Sequence, residues 1–280
     1  LLAIRPMTSA DTAAALAIFA AVGWGDRSAQ VSFFTSRPDS ALLVADDGGR
    51  VIGCSGATVF GPAGAPRTGW IHNVVVDPAA QRSGAGRQLT AAAVDWLRAR
   101  GVPTALLLAT PAGRPVYERM GFQLDRRYLN FRLAGADAPL AATSPGLRRA
   151  GTDDVQALLA LDRQATGEDR SAMLRTFVEA AWVVERAGEI AAFHVPCPWR
   201  EGPCVARDPA SGALVAEASH RLLGSARRAW SVPEANRAAL DWLTKTGAEP
   251  TGFTDRMWLG EPPPAWRPDM IYGVFNRSVA

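Results

Sequence analysis

One stretch does most to limit the folds open to this chain: Val74-Val75-Val76-Asp77-Pro78-Ala79-Ala80-Gln81-Arg82-Ser83-Gly84-Ala85-Gly86-Arg87. The β-branched apolar run predicts a strand that stops at Asp-Pro, because proline cannot donate to a ladder. A short polar loop with two glycines follows. Then Leu89, Ala92, Ala93, Trp96, Leu97 and Arg100 recur at helical spacing until Gly101 supplies a stop. A strand, a small-residue turn and a helix N-terminus bring unpaired backbone N–H groups to one point, which suits a phosphate. Gly84 and Gly86 matter there because a side chain would hold the phosphate away from the backbone.

The order Val-x-Val-Asp-Pro, then Gln81-x-x-Gly84-x-Gly86, resembles the coenzyme A pyrophosphate loop of the GCN5-related N-acetyltransferases, the GNAT superfamily. Further on, Tyr117-Glu118-Arg119-Met120-Gly121-Phe122 resembles the family's Tyr-x-x-x-Gly-Phe motif, and the apolar run Ala105-Leu106-Leu107-Leu108-Ala109 before it predicts the next strand. The resemblance covers residues 1 to about 133. It implies an α/β (α+β) fold, a mixed, mostly antiparallel twisted sheet flanked by helices, with acetyl-CoA as co-substrate; Cys197, Cys204, His194 and His220 have no metal-ligand spacing, so no metal is expected.

The same plan returns after a linker at residues 134–145. Ile4-Arg5-Pro6, a cap at Thr8 or Ser9 and a helix from Asp11 are matched by Leu147-Arg148-Arg149, Thr152 and a helix from Asp154. Both halves continue with a hairpin, Ala41–Ala45 to Val51–Gly53 and Trp182–Glu185 to Ile190–Phe193. We read an internal duplication: 1–133 as the acetyl-CoA domain and 146–280 as a second copy. The second copy loses the chemistry. Val205-Ala206-Arg207-Asp208-Pro209 leads straight into Ser211-Gly212-Ala213-Leu214 with no glycine loop, and Leu243 stands where the tyrosine motif needs Tyr. Leu161-Asp162 through Gly167-Glu168-Asp169-Arg170, Val232-Pro233-x-x-Asn236 and Arg256-Met257-x-x-Gly260 resemble the signature of the C-terminal domain in tandem-GNAT acetyltransferases.

Composition bounds the rest. At 280 residues, two domains are the better expectation, and 48% hydrophobic content suffices for packed cores. A net charge of +3 without clustered Lys/Arg excludes the usual nucleic-acid footprint; short basic spots such as Arg227-Arg228 read as solvated faces. The apolar stretch Ala13–Val22 is too short to cross a bilayer. Cys54, Cys197 and Cys204 make no disulfide framework. The expectation is a cytoplasmic protein with no membrane or nucleic-acid partner, a monomer or homodimer acting on a small-molecule amine.

Acetyl transfer to an amine needs a grip on coenzyme A, a polarised thioester carbonyl, a neutral amine and a proton for the leaving thiolate. The resemblance assigns the grip to Gln81, Arg82, Ser83, Gly84, Ala85, Gly86 and Arg87, the pantetheine and acetyl contacts to Val74, Val75 and Val76, and the proton donor to Tyr117. Strand alternation puts Trp70, His72, Val74 and Val76 on one face, and His72 alone in that run titrates near neutrality, which makes it the candidate base. By resemblance the first helices and their connection line the acceptor side. There Trp24 offers a flat apolar wall and Asp26 an ammonium partner, with Glu168 and Asp169 at the equivalent place in the second copy. The rival readings are a catalytically silent acyl-CoA sensor, a structural relic, and an acyltransferase for a peptide amine.

Overall fold

The computed structural model describes residues 2–65, 67–135, 144–199, 202–222 and 228–276. Two of the features above, most of the linker (136–143) and Arg227, lie outside them. The chain forms two compact units: residues up to 123 with Met257–Pro263, and Leu124–Arg256 with Pro264 onward. This is not a linear cut at 133. Leu124–Leu133 counts with the second unit, where it pairs with another strand of that unit, and Met257 counts with the first, where it is buried in the core.

The first unit runs β1 (Leu2–Pro6), α1 (Thr12–Ala21), α2 (Ser28–Thr35), β2 (Ser40–Asp47), β3 (Arg50–Phe60), β4 (Thr68–Val76), α3 (Ala85–Arg98), β5 (Thr104–Ala109) and α4 (Arg114–Arg119). The strands lie in chain order, β1 to β4 antiparallel and β5 parallel to β4. Gly48 and Gly49, both at positive φ, close the two-residue β2–β3 turn, as a type I′ hairpin requires. α3 lays Leu89, Ala93, Val94 and Leu97 on a core that includes Leu43, Ile52, Ile71 and Leu107. Each such Leu, Ile or Val side chain contributes about 1.5–3 kcal/mol on burial.

Two irregularities in β4 position the site. Opposite Ser55, β4 carries Asn73 and Val74, so a bulge interrupts the ladder, with Asn73 at φ 54°. A bulge reverses the alternation beyond it. Ile71, Val74 and Val76 therefore share the α3 side, while Trp70 and His72 face the other way. This corrects the expected face of Trp70, His72, Val74 and Val76. In addition, β4 and β5 pair only at Thr68–Trp70 with Thr104–Leu106. Past Trp70 the strands part and leave the β4 edge unpaired on that side.

The second unit runs β6 (Gln123–Leu133) from Leu124, β7 (Leu147–Arg149), α5 (Val155–Thr166), α6 (Ser171–Leu174), β8 (Trp182–Arg186), β9 (Glu189–His194), β10 (Cys204–Ala206), α7 (Pro209–Leu222), β11 (Arg228–Pro233), α8 (Arg237–Lys245), β12 (Glu249–Gly260) as far as Arg256, and β13 (Ile271–Gly273). One sheet is ordered β13-β10-β9-β8-β7, and β11 pairs antiparallel with β6. The duplication is visible in polar detail. Arg5 clasps Asp11 with two hydrogen bonds of 2.7 and 2.8 Å and also holds Asp46; Arg148 clasps Asp154 at 2.6 and 2.9 Å and also holds Glu185. Hydrogen bonds from Arg5 keep the Asp11 carboxyl far below the ordinary range. Both second motifs end alike: Phe122 N–H donates to Tyr117 O and Ala248 N–H to Leu243 O, each at 3.0 Å, across Gly121 and Gly247 at positive φ.

Candidate functional site

The glycine loop, the open end of β4 and α4 enclose one cleft in the first unit, of about 610 Å³. Val74, Val76 and the whole stretch Gln81–Arg87 line it, facing Ala112, Gly113, Val116, Tyr117 and Arg119. The loop starts at Asp77, whose carboxylate accepts from Ala79 N–H at 2.9 Å and from Arg50 at 2.7 Å. Arg82 (φ 67°) and Gly84 (φ 87°) are both left-handed, and alternation of this kind turns successive N–H groups inward as an anion nest. The first bond of α3 is Gln88 N–H to Gly84 O at 3.1 Å. Among the described residues, the N–H groups of Arg82, Ser83, Gly84, Gly86 and Arg87 have no acceptor. Nothing stands within 4 Å of where a Gly84 Cβ would be, so its glycine serves the conformation and the approach of a guest.

Arg82, Arg87 and Arg119 line this cleft, and among the described residues no acidic one does. Free donors, glycine clearance and charge fit the pyrophosphate of coenzyme A. The parted edge of β4 offers Val74 and Val76 to the cleft, while the Val75 side chain is buried and does not line it. Tyr117 reaches the cleft from α4, its ring 5.8 Å from Phe122 in an edge-on contact and its phenol pushed up to about 12 by burial. The phenol is therefore protonated at neutral pH. Ala112, Gly113, Val116 and Arg119 were not anticipated; Gly113, Val116 and Tyr117 share one face of α4, a spacing of three and four that marks it.

His72 is not in this cleft. It is 2% exposed, its Nε2 lies 3.0 Å from Thr58 Oγ1, and its ring packs on Phe34 at 4.1 Å. Burial pushes the imidazole down to about 3, so it is neutral at any working pH and does not titrate near neutrality. A Cβ on Gly56 would come 2.2 Å from His72 Cε1: the ring lies flat on the β3 backbone. The expectation of a neutral-range base at this position is corrected by that burial.

The acceptor-side candidates are engaged locally. Trp24 stacks on Phe19 at 5.7 Å with the Arg27 guanidinium 5.6 Å from its ring centre, and exposed Asp26 accepts from Ser28 N–H at 2.8 Å, which lowers its carboxyl. In the second unit Glu168 is buried and Asp169 pairs with Arg163. At the place equivalent to the glycine loop, α7 begins at Pro209, and the Tyr272 ring covers Gly212 so closely that a Cβ would meet its Cζ at 2.2 Å.

Residues 11–122 match the Acetyltransferase (GNAT) family and residues 158–273 the Acetyltransferase (GNAT) domain. The chain belongs to the GNAT superfamily and carries two of its domains in tandem. It is 35% identical over 120 residues to the mycothiol acetyltransferase of Rhodococcus erythropolis, covering 41% of this chain and 36% of that one. It is 37% identical over 94 residues to the N-alpha-acetyltransferase RimI of Mycobacterium tuberculosis, covering 30% and 58%. The chain thus spans about a third of the length of the mycothiol acetyltransferases it matches. A candidate acetyltransferase from Pyrococcus horikoshii superposes over 100% of this chain and 96% of its own with a TM-score of 0.82 at 22% identity. A tandem GNAT protein from the clavulanic acid biosynthesis pathway covers 95% of this chain and 100% of its own, with a TM-score of 0.63 at 19% identity. No described helix is long and apolar enough to cross a membrane.

Proposed function

We propose that the chain transfers an acetyl group from acetyl-CoA to the primary amine of a small metabolite, using the cleft of the first unit. One observation carries this: the unpaired N–H groups of the Arg82–Arg87 loop and the Tyr117 phenol open on the same cleft. Acetyl-CoA, when bound, supplies an activated thioester. The loop N–H groups and Arg82, Arg87 and Arg119 hold phosphate, and Val74 and Val76 line the cleft beside the rest of the coenzyme. Burial keeps the Tyr117 proton on the phenol, from which it is given to the departing thiolate. Among the described residues no carboxylate or imidazole lines the cleft, and in this reading the amine gives its proton to water or enters neutral. The domain division and the second unit's lack of a coenzyme site belong to the same proposal, supported by the Tyr272 ring over Gly212.

The relatives' names point both to mycothiol and to an N-alpha amine, so the acceptor is tested directly. Release of free thiol from acetyl-CoA is followed with amino acids, polyamines and aminoglycosides beside an N-terminal peptide. A small amine turned over faster than the peptide supports the reading. Preference for the peptide would move it to the protein-amine class, and no thiol release with any acceptor would leave a silent acyl-CoA sensor.

A further inference from the structure

The signature positions Asp162, Arg170 and Arg256 take no part in the cleft chemistry, yet they are among the most buried charges of the second unit. Asp162 and Arg170 are 1% and 3% exposed and joined by hydrogen bonds of 2.6 and 3.1 Å. Arg256, 2% exposed, pairs at 3.2 Å with Asp125, which also takes Arg126 at 3.1 Å. The guanidinium carbons of Arg256 and Arg126 stand 4.1 and 4.5 Å from the centre of the Trp266 ring, and that ring lies 5.4 Å from the fully buried Tyr128. Tyr128 Oη and Trp266 Nε1 are buried and have no hydrogen-bond partner among the described residues. Buried donors are nearly always matched, because an unmatched one keeps its full desolvation cost. The cluster therefore lacks an acceptor.

The charges say which kind. Asp162 is tied to Arg170, and Glu168 also acts on Arg170. Beside the Tyr128 phenol, Arg256 and Arg126 share the carboxylate of Asp125, and both act on the phenol as cations. Burial outweighs them and keeps the phenol a neutral donor. A neutral O–H and an indole N–H in a positive field are complementary to an oxyanion; a carbonyl or a water would satisfy the donors but not the field. Arg126 and Trp266 are partly exposed and give the entry, while Tyr128 and Arg256 form the floor.

We propose that the second unit binds a small oxyanion, a carboxylate or a phosphate group, through Tyr128, Trp266 and Arg256, with Arg126 at the rim. The site is separate from the coenzyme cleft and stands or falls independently of the acetyl-transfer reading.

The test uses the full chain carrying Gly84→Asp, which places a carboxylate in the glycine loop and removes it as a rival phosphate site. Calorimetry and thermal melts are run with inorganic phosphate and with succinate, against chloride at equal ionic strength. A saturable heat and a rise in melting temperature with either anion are expected, and which of the two binds more tightly identifies the source. Tyr128→Phe removes the unmatched donor: without anion the chain melts no lower than its parent, and it binds the anion roughly tenfold to hundredfold more weakly, as loss of a hydrogen bond to a charged group predicts. Trp266→Phe keeps a ring and loses the N–H, with a weakening of the same kind. The proposal is overturned if neither anion acts beyond chloride, if both variants bind as the parent does, or if Tyr128→Phe melts lower without anion, which would give the hydroxyl a structural partner.

Discussion

Replacing His72 by Gln separates a buried structural imidazole from a catalytic base. An unfolded histidine titrates near 6.5, whereas in the folded chain burial holds His72 down to about 3. Between those values the unfolded state binds the extra proton, so this group's contribution to stability is complete above about pH 6.5 and lost as pH falls toward 3. The slope approaches about 1.4 kcal/mol per pH unit, so between pH 6.5 and pH 5 it amounts to roughly 2 kcal/mol. Asp11 and Asp154, held low by Arg5 and Arg148, lose their contribution only below the ordinary carboxylate range and stay out of this window. Gln keeps an amide that can meet Thr58 but cannot titrate. Denaturant unfolding of both chains at pH 7, 6 and 5 should give a wild-type stability that falls more steeply by about one proton's worth. A limb of the pH–rate profile near neutrality should persist in His72→Gln. Parallel stability curves, or loss of that limb, would refute the buried neutral imidazole.

Three further outcomes follow from the same geometry. Tyr117→Phe keeps the ring against Phe122 and removes the proton, so steady-state turnover should fall about 10–1000-fold while coenzyme A affinity by calorimetry is unchanged. Gly56→Ala drives a methyl into the His72 ring and should cost about 1–3 kcal/mol in denaturant unfolding. Arg82→Gly relieves a left-handed non-glycine residue and should stabilise the ligand-free chain by about 1 kcal/mol, while weakening coenzyme A through the lost guanidinium.

The parts written in local sequence were legible. The glycine loop, the start of α3, the stop at Gly101 and the Tyr117–Phe122 turn depend on residues a few positions apart, and the Arg5–Asp11 and Arg148–Asp154 clasps mark the repeat. The failures came from distance along the chain. Asn73 gives no glycine signal for the bulge, yet one extra residue there turns Val74 and Val76 into the cleft and His72 away from it. The depth of His72 is set by Phe34 and Gly56, and the closure of Gly212 by Tyr272, sixty residues later. Likewise, Met257–Pro263 joins the first unit through bonds such as Glu261 N–H to Pro103 O at 3.0 Å, which no local pattern announces.

The proposed function turns on a single coenzyme site built by the Gln81–Arg87 loop of the first unit. Calorimetric titration of the full chain with coenzyme A, beside the Gly84→Asp variant, tests it most directly. One molecule per chain is expected, with no measurable binding once a carboxylate replaces Gly84. Two equivalent sites, or undiminished affinity in the variant, would contradict it.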